Sequence, residues 1–160
     1  MSEQVVVSRS IAVSADAIWD AIADVTRMGE WSTECHTCQW DDGARGPAAG
    51  ATFTGHNRHG DAEWTTRATI TECARGERFS FDVRLTGPTA EMFGDGVFST
   101  WSYTIEPAGD GCLVTETVED HRSDDLVAAS KVFLADIPDR AAHNRGTMTT
   151  TLDRLAAAVE

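Results

Sequence analysis

The sequence predicts an α+β fold in which a strongly curved, seven-stranded antiparallel sheet wraps around a long C-terminal helix, with two short helices after the first strand. Two observations predict it. Between about residues 36 and 121, six short stretches of strand-like alternation are separated by turn-rich segments, as in an antiparallel meander. The last part of the chain instead carries apolar residues at helical spacing, and a helix of about 20 residues is long enough to cover the concave face of such a sheet.

The N-terminal part of the chain predicts a strand followed at once by a helix. Apolar residues alternate along residues 5–13, and Arg9 falls on the same face as Val7 and Ile11. Ser14 then precedes the segment ADAIWDAIADV, whose apolar residues recur at helical spacing. The next segment, TRMGEWS, predicts a second short helical turn.

Six further strands and one long helix are predicted after these elements. Residues 124–137 show no clear pattern, and a helix is predicted over about 139–159. No internal repeat or linker interrupts the chain, and its 160 residues suit one folding unit, so residues 1–160 are predicted to form a single domain. The predicted strands lie at roughly 36–42, 51–58, 63–74, 77–86, 97–106 and 111–121.

The composition excludes several classes of partner. Lysine and arginine number 13 against 26 acidic residues, so the net charge is -13, which disfavours nucleic acid and anionic membrane surfaces. No apolar run approaches the roughly 20 residues of a membrane span, and the N-terminus lacks the features of a secretory signal. We therefore expect a soluble, cytoplasmic protein whose four cysteines are reduced.

Four segments that together cover nearly the whole chain carry a family resemblance. They are VSRSIAVSADAIWDAIADVTRMGEWS, FTGHNRHGDAEWTTRATITECARGERFSFDV, STWSYTIEPAGDGCLVTETVED and RAAHNRGTMTTTLDRL. In these segments the chain resembles the START-like, or SRPBCC, superfamily, in its branch named polyketide cyclase/dehydrase and lipid transport. The resemblance implies a helix-grip fold around an apolar ligand cavity. Members of the superfamily include carriers, sensors, cyclases and chaperone activators, and the resemblance implies no common catalytic residue.

Strand alternation predicts which side chains face the interior. On the long helix, Met148 belongs to the apolar face and Asn144 lies beside it, whereas His143 is predicted to point into solvent. Trp31 is a further candidate for an aromatic pocket wall, with core filling as the alternative. The strand residues predicted to face the cavity and contact a ligand are Phe53, Asn57, Trp64, Phe81, Trp101 and Tyr103.

Two charged residues are predicted on apolar strand faces. Glu116 lies between Val114 and Val118, and Arg9 lies on the apolar face of the first strand. An unpaired buried charge costs several kcal/mol, so these residues are expected to pair with each other, to reach the cavity mouth, or to hold a polar end of a ligand. Glu116 and Asp120, near the end of the same strand, are the candidate catalytic carboxylates.

The segment TGPTAEMFGDG predicts a loop with two large apolar residues, Met92 and Phe93. Apolar side chains in a loop flanked by glycine and proline favour a lid over a cavity, and a permanently packed loop is the alternative. Met92 is therefore included among the predicted ligand contacts.

The segment ECHTCQW places Cys35, His36 and Cys38 within four positions. A structural zinc site needs four ligands, commonly as two close pairs, and no second pair is present in the sequence. A thioredoxin-like redox motif needs its cysteines at a helix N-terminus, whereas these lie in a predicted strand. The sequence therefore predicts structural residues here, no metal and no cofactor.

The leading functional hypothesis is a binding protein, a carrier or sensor for a lipid-like, polyketide-like or aromatic small molecule in the central cavity. The alternative is a cyclase, aromatase or dehydratase that uses Glu116 or Asp120 as general base, with Arg9, Tyr103 or Asn144 polarising a carbonyl. A regulatory protein acting through protein contacts is a third hypothesis, and a homodimer is also open.

Overall fold

A computed structural model gives the structure of residues 3–160. Its strands and helices follow the predicted order, with two helices that the sequence pattern did not predict. The strands are β1 (Glu3–Ile11), β2 (Cys35–Trp40), β3 (Thr52–His59), β4 (Ala62–Ala74), β5 (Arg78–Leu85), β6 (Val97–Ala108) and β7 (Gly111–Asp120). The helices are α1 (Ala15–Ala23), a 3₁₀ helix (Val25–Glu30), α2 (Gly87–Phe93), α3 (Asp124–Phe133) and α4 (Arg140–Val159).

All seven strands form one antiparallel sheet in the order β1-β7-β6-β5-β4-β3-β2. Strands β2 to β7 are therefore a meander. Strand β1 forms one edge of the sheet and pairs along its whole length with β7. The long helix α4 packs against β1, and its buried side chains lie over the sheet. The predicted fold class, a curved sheet around a C-terminal helix, is confirmed.

Side-chain caps fix where three of the helices begin. The Ser14 Oγ accepts a hydrogen bond from the amide of Ala17 at 3.2 Å, which caps α1. The carboxylate of Asp139 accepts one from the amide of Ala142 at 3.0 Å and caps α4. The Ser123 Oγ caps α3 in the same way. Each cap satisfies an amide that the helix itself leaves free, so these short polar residues set the helix starts.

Helices α2 and α3 occupy segments where the sequence predicted a loop and an ambiguous stretch. Neither helix has a fully buried residue, so neither carries the wide apolar stripe by which a core helix is recognised in a sequence. Both flank the same opening of the sheet and helix assembly, where their apolar side chains are only partly covered. No helix within residues 3–160 is both long and apolar enough to cross a membrane.

Candidate functional site

A cavity of about 390 Å³ lies between the concave face of the sheet, α4, and helices α2 and α3. Its volume falls in the range of small-molecule sites, and most of its wall is apolar. Strands β2 to β7 all contribute side chains to the sheet side of the cavity, and on β3 to β7 these are the alternate residues that point to this side. The apolar wall includes Phe53, Ala68, Phe81, Val83, Leu85, Phe98, Trp101, Val118 and Met148.

Most of the residues predicted to contact a ligand line this cavity. Alternation placed the strand residues on the correct side of the sheet. An error of one position on any strand would have turned all of its predicted residues away from the cavity. Asp120, the second candidate catalytic carboxylate, also lies in the wall. Their contact with a ligand remains a prediction. The predicted residues found in the wall are Phe53, Asn57, Trp64, Phe81, Met92, Trp101, Tyr103, Glu116, Asn144 and Met148.

Arg9 and Trp31 do not line the cavity, so the expectation that they face it is wrong, and Trp31 takes the core position that was its alternative. The guanidinium of Arg9 forms an ion pair with Asp153 of α4, not with Glu116. Helix α4 packs against β1, and this brings an acidic helix residue to Arg9. Trp31 is 3% exposed within the core, with the Arg27 guanidinium 5.2 Å from its ring centroid. Trp31 fills the core under the 3₁₀ helix.

Glu116 is the most deeply buried carboxyl group of the cavity wall, with 2% of its surface exposed. Its Oε1 accepts a hydrogen bond from the Tyr103 hydroxyl at 3.0 Å, and its Oε2 finds no partner among residues 3–160. Burial raises the pKa of Glu116 to about 8, although the hydrogen bond from Tyr103 acts in the opposite direction. Glu116 is therefore mostly a neutral carboxylic acid at pH 7.

Asn144, which also lines the cavity, carries a second unsatisfied buried polar atom. Its side chain is buried on α4, and its Oδ1 has no hydrogen-bond partner within the described chain. By contrast, the Nδ2 of Asn57 is satisfied, because it donates to the carbonyl of Trp64 at 3.3 Å and to the Thr66 Oγ1 at 3.2 Å. A buried acceptor without a partner costs free energy, so a ligand that donates a hydrogen bond to Asn144 would recover it.

The mouth of the cavity lies between α2 and α3. Met92, Phe93 and Phe133 all line the cavity, yet they are 72%, 37% and 51% exposed. Phe133 makes an edge contact with Trp64 on β4, with ring centroids 6.4 Å apart. Large apolar side chains that both line a cavity and are exposed to solvent lie at the opening of that cavity. The segment predicted as a lid loop is thus a short helix at this mouth.

Two ion pairs lie in the cavity wall. Arg140 donates to both carboxylate oxygens of Glu34 at 3.0 and 2.5 Å, and Arg122 holds both oxygens of Asp120 at 2.7 to 3.0 Å. Burial would raise the pKa of Asp120, but the hydrogen bonds and charge of Arg122 outweigh it and lower the pKa. Asp120 is therefore an ionised, already paired carboxylate, which favours Glu116 over Asp120 as a proton-transfer group.

His143 is not the solvated helix residue that its helical position predicted. Its side chain is 21% exposed, and its Nε2 lies 3.3 Å from an oxygen of Glu34. Burial is the main cause of its lowered pKa. Glu34, His59 and His143 offer three potential metal-ligand atoms within 4.8 Å of one another. Arg140 already holds both oxygens of Glu34, which favours an ionic network over a metal site at this cluster.

Several wall residues were missed by the sequence analysis. Glu34 and Arg140 lie outside the predicted strand faces, and Phe133 lies in the segment without a clear pattern. The N-cap Ser123 with the two acidic residues after it is the signal that could have indicated α3. Cys35 and Cys38 also line the cavity, with their sulfur atoms 3.0 Å apart.

Comparison with known proteins agrees with this geometry. A polyketide-cyclase-like protein from Corynebacterium glutamicum is 26% identical, with a TM-score of 0.57 over 99% of this chain and 90% of that one. A major latex-like protein from Panax ginseng is 13% identical, with a TM-score of 0.69 over 99% and 97%. The di-domain ARO/CYC StfQ from the steffimycin biosynthetic pathway is 13% identical, with a TM-score of 0.71 over 99% of this chain and 50% of that one.

These likenesses at 13% identity establish the fold alone. No protein with a curated description matches the sequence. The profile of the family described as "Polyketide cyclase / dehydrase and lipid transport" matches residues 2–160, which is nearly the entire chain. The protein therefore belongs to the polyketide cyclase/dehydrase and lipid transport family.

Proposed function

We propose that residues 1–160 act as one ligand-binding domain, a carrier or sensor for a neutral, hydrophobic small molecule that carries a hydroxyl group. The ligand would be lipid-like, polyketide-like or aromatic. One observation carries the proposal: an apolar cavity of about 390 Å³ is lined by two residues, Glu116 and Asn144, whose buried Oε2 and Oδ1 atoms have no partners among residues 3–160. An apolar site with a few placed polar groups is the usual form of a small-molecule site.

The hydroxyl group of the proposed ligand is inferred from the protonation state of Glu116. The Oε1 of Glu116 accepts a hydrogen bond from Tyr103, so in the neutral acid the proton lies on Oε2, which then needs an acceptor. The Oδ1 of Asn144 needs a donor. A hydroxyl group both donates and accepts, so it satisfies either atom. An alkane or an unsubstituted arene would leave both unsatisfied.

A neutral ligand is favoured by the charges of the wall. Arg122 and Arg140 are the arginines that line the cavity within residues 3–160, and each is held by a carboxylate. The chain also has a net charge of -13. A fatty-acid carboxylate would therefore find no free cation in the described wall and would meet a repulsive field.

The test compares 2-naphthol with 2-methylnaphthalene, which differ by a hydroxyl in place of a methyl group. Both would displace the fluorescent probe N-phenyl-1-naphthylamine, and the naphthol should bind on the order of 10-fold more tightly, the usual worth of one good hydrogen bond. Equal affinities would contradict the proposed role of the two polar atoms.

Two alanines of α3 provide a matched pair of variants. Ala129 lines the cavity mouth, whereas its neighbour Ala128 lies outside the wall. Ala129→Trp should fill the mouth and abolish probe binding, and Ala128→Trp should leave it unchanged. Retention of full binding by Ala129→Trp would place the probe elsewhere and overturn the proposal.

A second candidate is an enzyme of the cyclase, aromatase or dehydratase type, and the state of Glu116 is what favours it. A pKa of about 8 lies near neutral pH, where a general acid or base is most effective. Neutral Glu116 can give a proton to a ligand carbonyl at pH 7, and ionised Glu116 can remove a proton next to one at higher pH. If this candidate is correct, Glu116→Gln should retain binding of a polyketone substrate but lose turnover by roughly 10² to 10⁴.

A further inference from the structure

Cys35 and Cys38 lie side by side in the cavity wall, although strand alternation predicts the opposite. Residues three positions apart in a regular strand face opposite sides. The pairing of β2 with β3 is irregular between Cys35 and Thr37, because Cys35 pairs with Asn57 and Thr37 pairs with His56. This bulge shifts the alternation by one residue. Both cysteines therefore face the cavity, and their sulfur atoms are 3.0 Å apart.

A glycine on the neighbouring strand leaves room for the two sulfur atoms. Gly55 is the direct partner of Cys38 across the β2 and β3 pair. A Cβ atom at Gly55 would lie 3.3 Å from the Cys35 Sγ and 3.6 Å from the Cys38 Sγ, and 2.9 Å from the Thr66 Oγ1. The bulge and the glycine together hold the two thiols in contact.

The two thiols are not equivalent. Cys38 is 5% exposed, and the Sδ of Met28 lies 3.7 Å from its sulfur. The contact with Cys38 is the largest cause of a lowered pKa at Cys35, and the same contact raises the pKa of Cys38. Cys35 is therefore the more readily ionised thiol, and the thiolate is the nucleophilic form.

We propose that Cys35 and Cys38 are a reversible dithiol–disulfide pair, oxidised by peroxides, in the wall of the ligand cavity. The Cys35 thiolate attacks one peroxide oxygen, the O–O bond breaks, and hydroxide leaves as water after it takes up a proton. The Cys38 thiol then attacks the sulfur of the Cys35 sulfenic acid, the S–O bond breaks, and a second water leaves. Hydrogen peroxide is thus reduced to two waters while the two thiols lose two electrons and two protons.

Oxidation would change the cavity wall. A disulfide has an S–S distance of about 2.05 Å, so the sulfur atoms would approach by roughly 1 Å and both S–H donors would be lost. Burial and its partner Glu116 are the main causes of the raised pKa of Tyr103, and the two cysteines add smaller electrostatic contributions. Any effect on ligand affinity rests on the proposed function, whereas disulfide formation does not.

Mass spectrometry of tryptic peptides tests the pair directly, because Cys73 and Cys112 fall on peptides separate from the one that holds the pair. Residues 28–45 contain Cys35 and Cys38, residues 68–75 contain Cys73, and residues 85–122 contain Cys112. After brief treatment of the folded protein with hydrogen peroxide, the first peptide should lose two hydrogen atoms and recover them with dithiothreitol. The other two peptides should keep free thiols. Sulfinic or sulfonic acid at residues 28–45, or oxidation of Cys73 alone, would overturn the proposal.

Phenylarsine oxide gives a second measurement, because it binds two neighbouring thiols much more tightly than one. The folded wild-type protein should bind one equivalent, and Cys73→Ser should bind it equally well. Cys35→Ser should bind none under the same conditions. Gly55→Ala should weaken the binding, because its new methyl group would be crowded against the Cys35 Sγ at 3.3 Å and the Thr66 Oγ1 at 2.9 Å. Equal binding by wild type and Cys35→Ser would contradict the paired geometry even if a variant at Cys38 failed to fold.

Binding of N-phenyl-1-naphthylamine to the reduced and oxidised protein then separates the two proposals. A change in affinity on oxidation, absent from Cys35→Ser, would show that the pair acts on the cavity. Disulfide formation in a protein that binds no probe would support the pair and count against the ligand-binding function. Probe binding in a protein that forms no disulfide would support the ligand-binding function and contradict the proposed cysteine pair.

Discussion

Tyr103 and Glu116 are direct cross-strand partners on β6 and β7, and the Tyr103 hydroxyl donates a hydrogen bond of 3.0 Å to one oxygen of the Glu116 carboxyl group. The second oxygen of this carboxyl group is buried without a partner within residues 3–160. One oxygen of Glu116 is thus hydrogen-bonded and the other is not. This arrangement has separate consequences for stability, for the pH dependence of folding and for the choice of ligand.

The first prediction concerns the pH dependence of folding. Glu116 in the unfolded chain titrates near its ordinary value of 4.5, whereas the folded protein keeps the proton up to about pH 8. Between these values the folded state binds more protons, so the contribution of Glu116 to stability is present below pH 4.5 and is lost as pH rises through 8. The loss is on the order of 5 kcal/mol.

Glu116→Gln should remove this contribution to the pH dependence and leave the variant more stable than the wild type at pH 8. Urea unfolding at a series of pH values measures the difference between the two proteins. His143, whose lowered pKa adds stability as pH rises, is present in both proteins and cancels in that difference. Glu106→Gln, at an exposed position of β6, serves as the control. A pH-independent difference between wild type and Glu116→Gln would mean that Glu116 titrates normally.

The second prediction concerns Asn144. Asn144→Leu removes a buried acceptor that has no partner in the described chain, so the unliganded protein should keep its stability or gain on the order of 1 kcal/mol. The preference for 2-naphthol over 2-methylnaphthalene should shrink in this variant. Met148→Leu, on the same helix face, should leave the preference intact. A strongly destabilised Asn144→Leu protein would indicate that Asn144 has a structural partner.

The third prediction concerns the cavity mouth. Phe133 lines the cavity and contacts Trp64, whereas its neighbour Val132 is 81% exposed and lies outside the wall. Phe133→Ala should widen the mouth and raise the dissociation rate of N-phenyl-1-naphthylamine several-fold in stopped-flow measurements, with little effect of Val132→Ala. Because α2 has no buried residue, its amides should exchange with deuterium faster than those of β5 and should slow when the probe binds. Identical dissociation rates for the two alanine variants would place the mouth elsewhere.

The fourth prediction concerns the ion pair between Glu34 and Arg140. The two side chains are 14% and 20% exposed, and Glu34 also lies beside His143. Glu34→Gln leaves a partly buried guanidinium without its counter-charge, so the free energy of unfolding should fall by roughly 1 to 3 kcal/mol. The exposed pair of Arg58 and Glu63 is the control, and Glu63→Gln should cost less than about 1 kcal/mol. Thermal unfolding of both variants in one buffer measures the two losses of stability. Equal losses in Glu34→Gln and Glu63→Gln would show that the burial of Glu34 does not strengthen its ion pair.

Much of the fold and part of the candidate site could be predicted from sequence, because period-two and period-3.6 patterns report which face of an element is buried. Glu116 is an example, because its position between Val114 and Val118 is enough to predict that it lies on the cavity face of its strand. The same reasoning placed Tyr103 and Asn144 in the wall. These residues lie in long, regular elements, where local pattern and tertiary position agree.

The sequence by itself determined the order of the strands and the long helix, the side of strands β3 to β7 that faces inwards, and the position of Ser14 just before α1. Only the tertiary structure decided which partner each charge takes and how an irregular strand points its side chains. Arg9 meets Asp153 because α4 packs against β1, and no local pattern encodes the position of a residue 144 positions away. Cys35 meets Cys38 because a bulge reverses the alternation of β2, and a bulge is set by pairing with β3 and not by β2 alone.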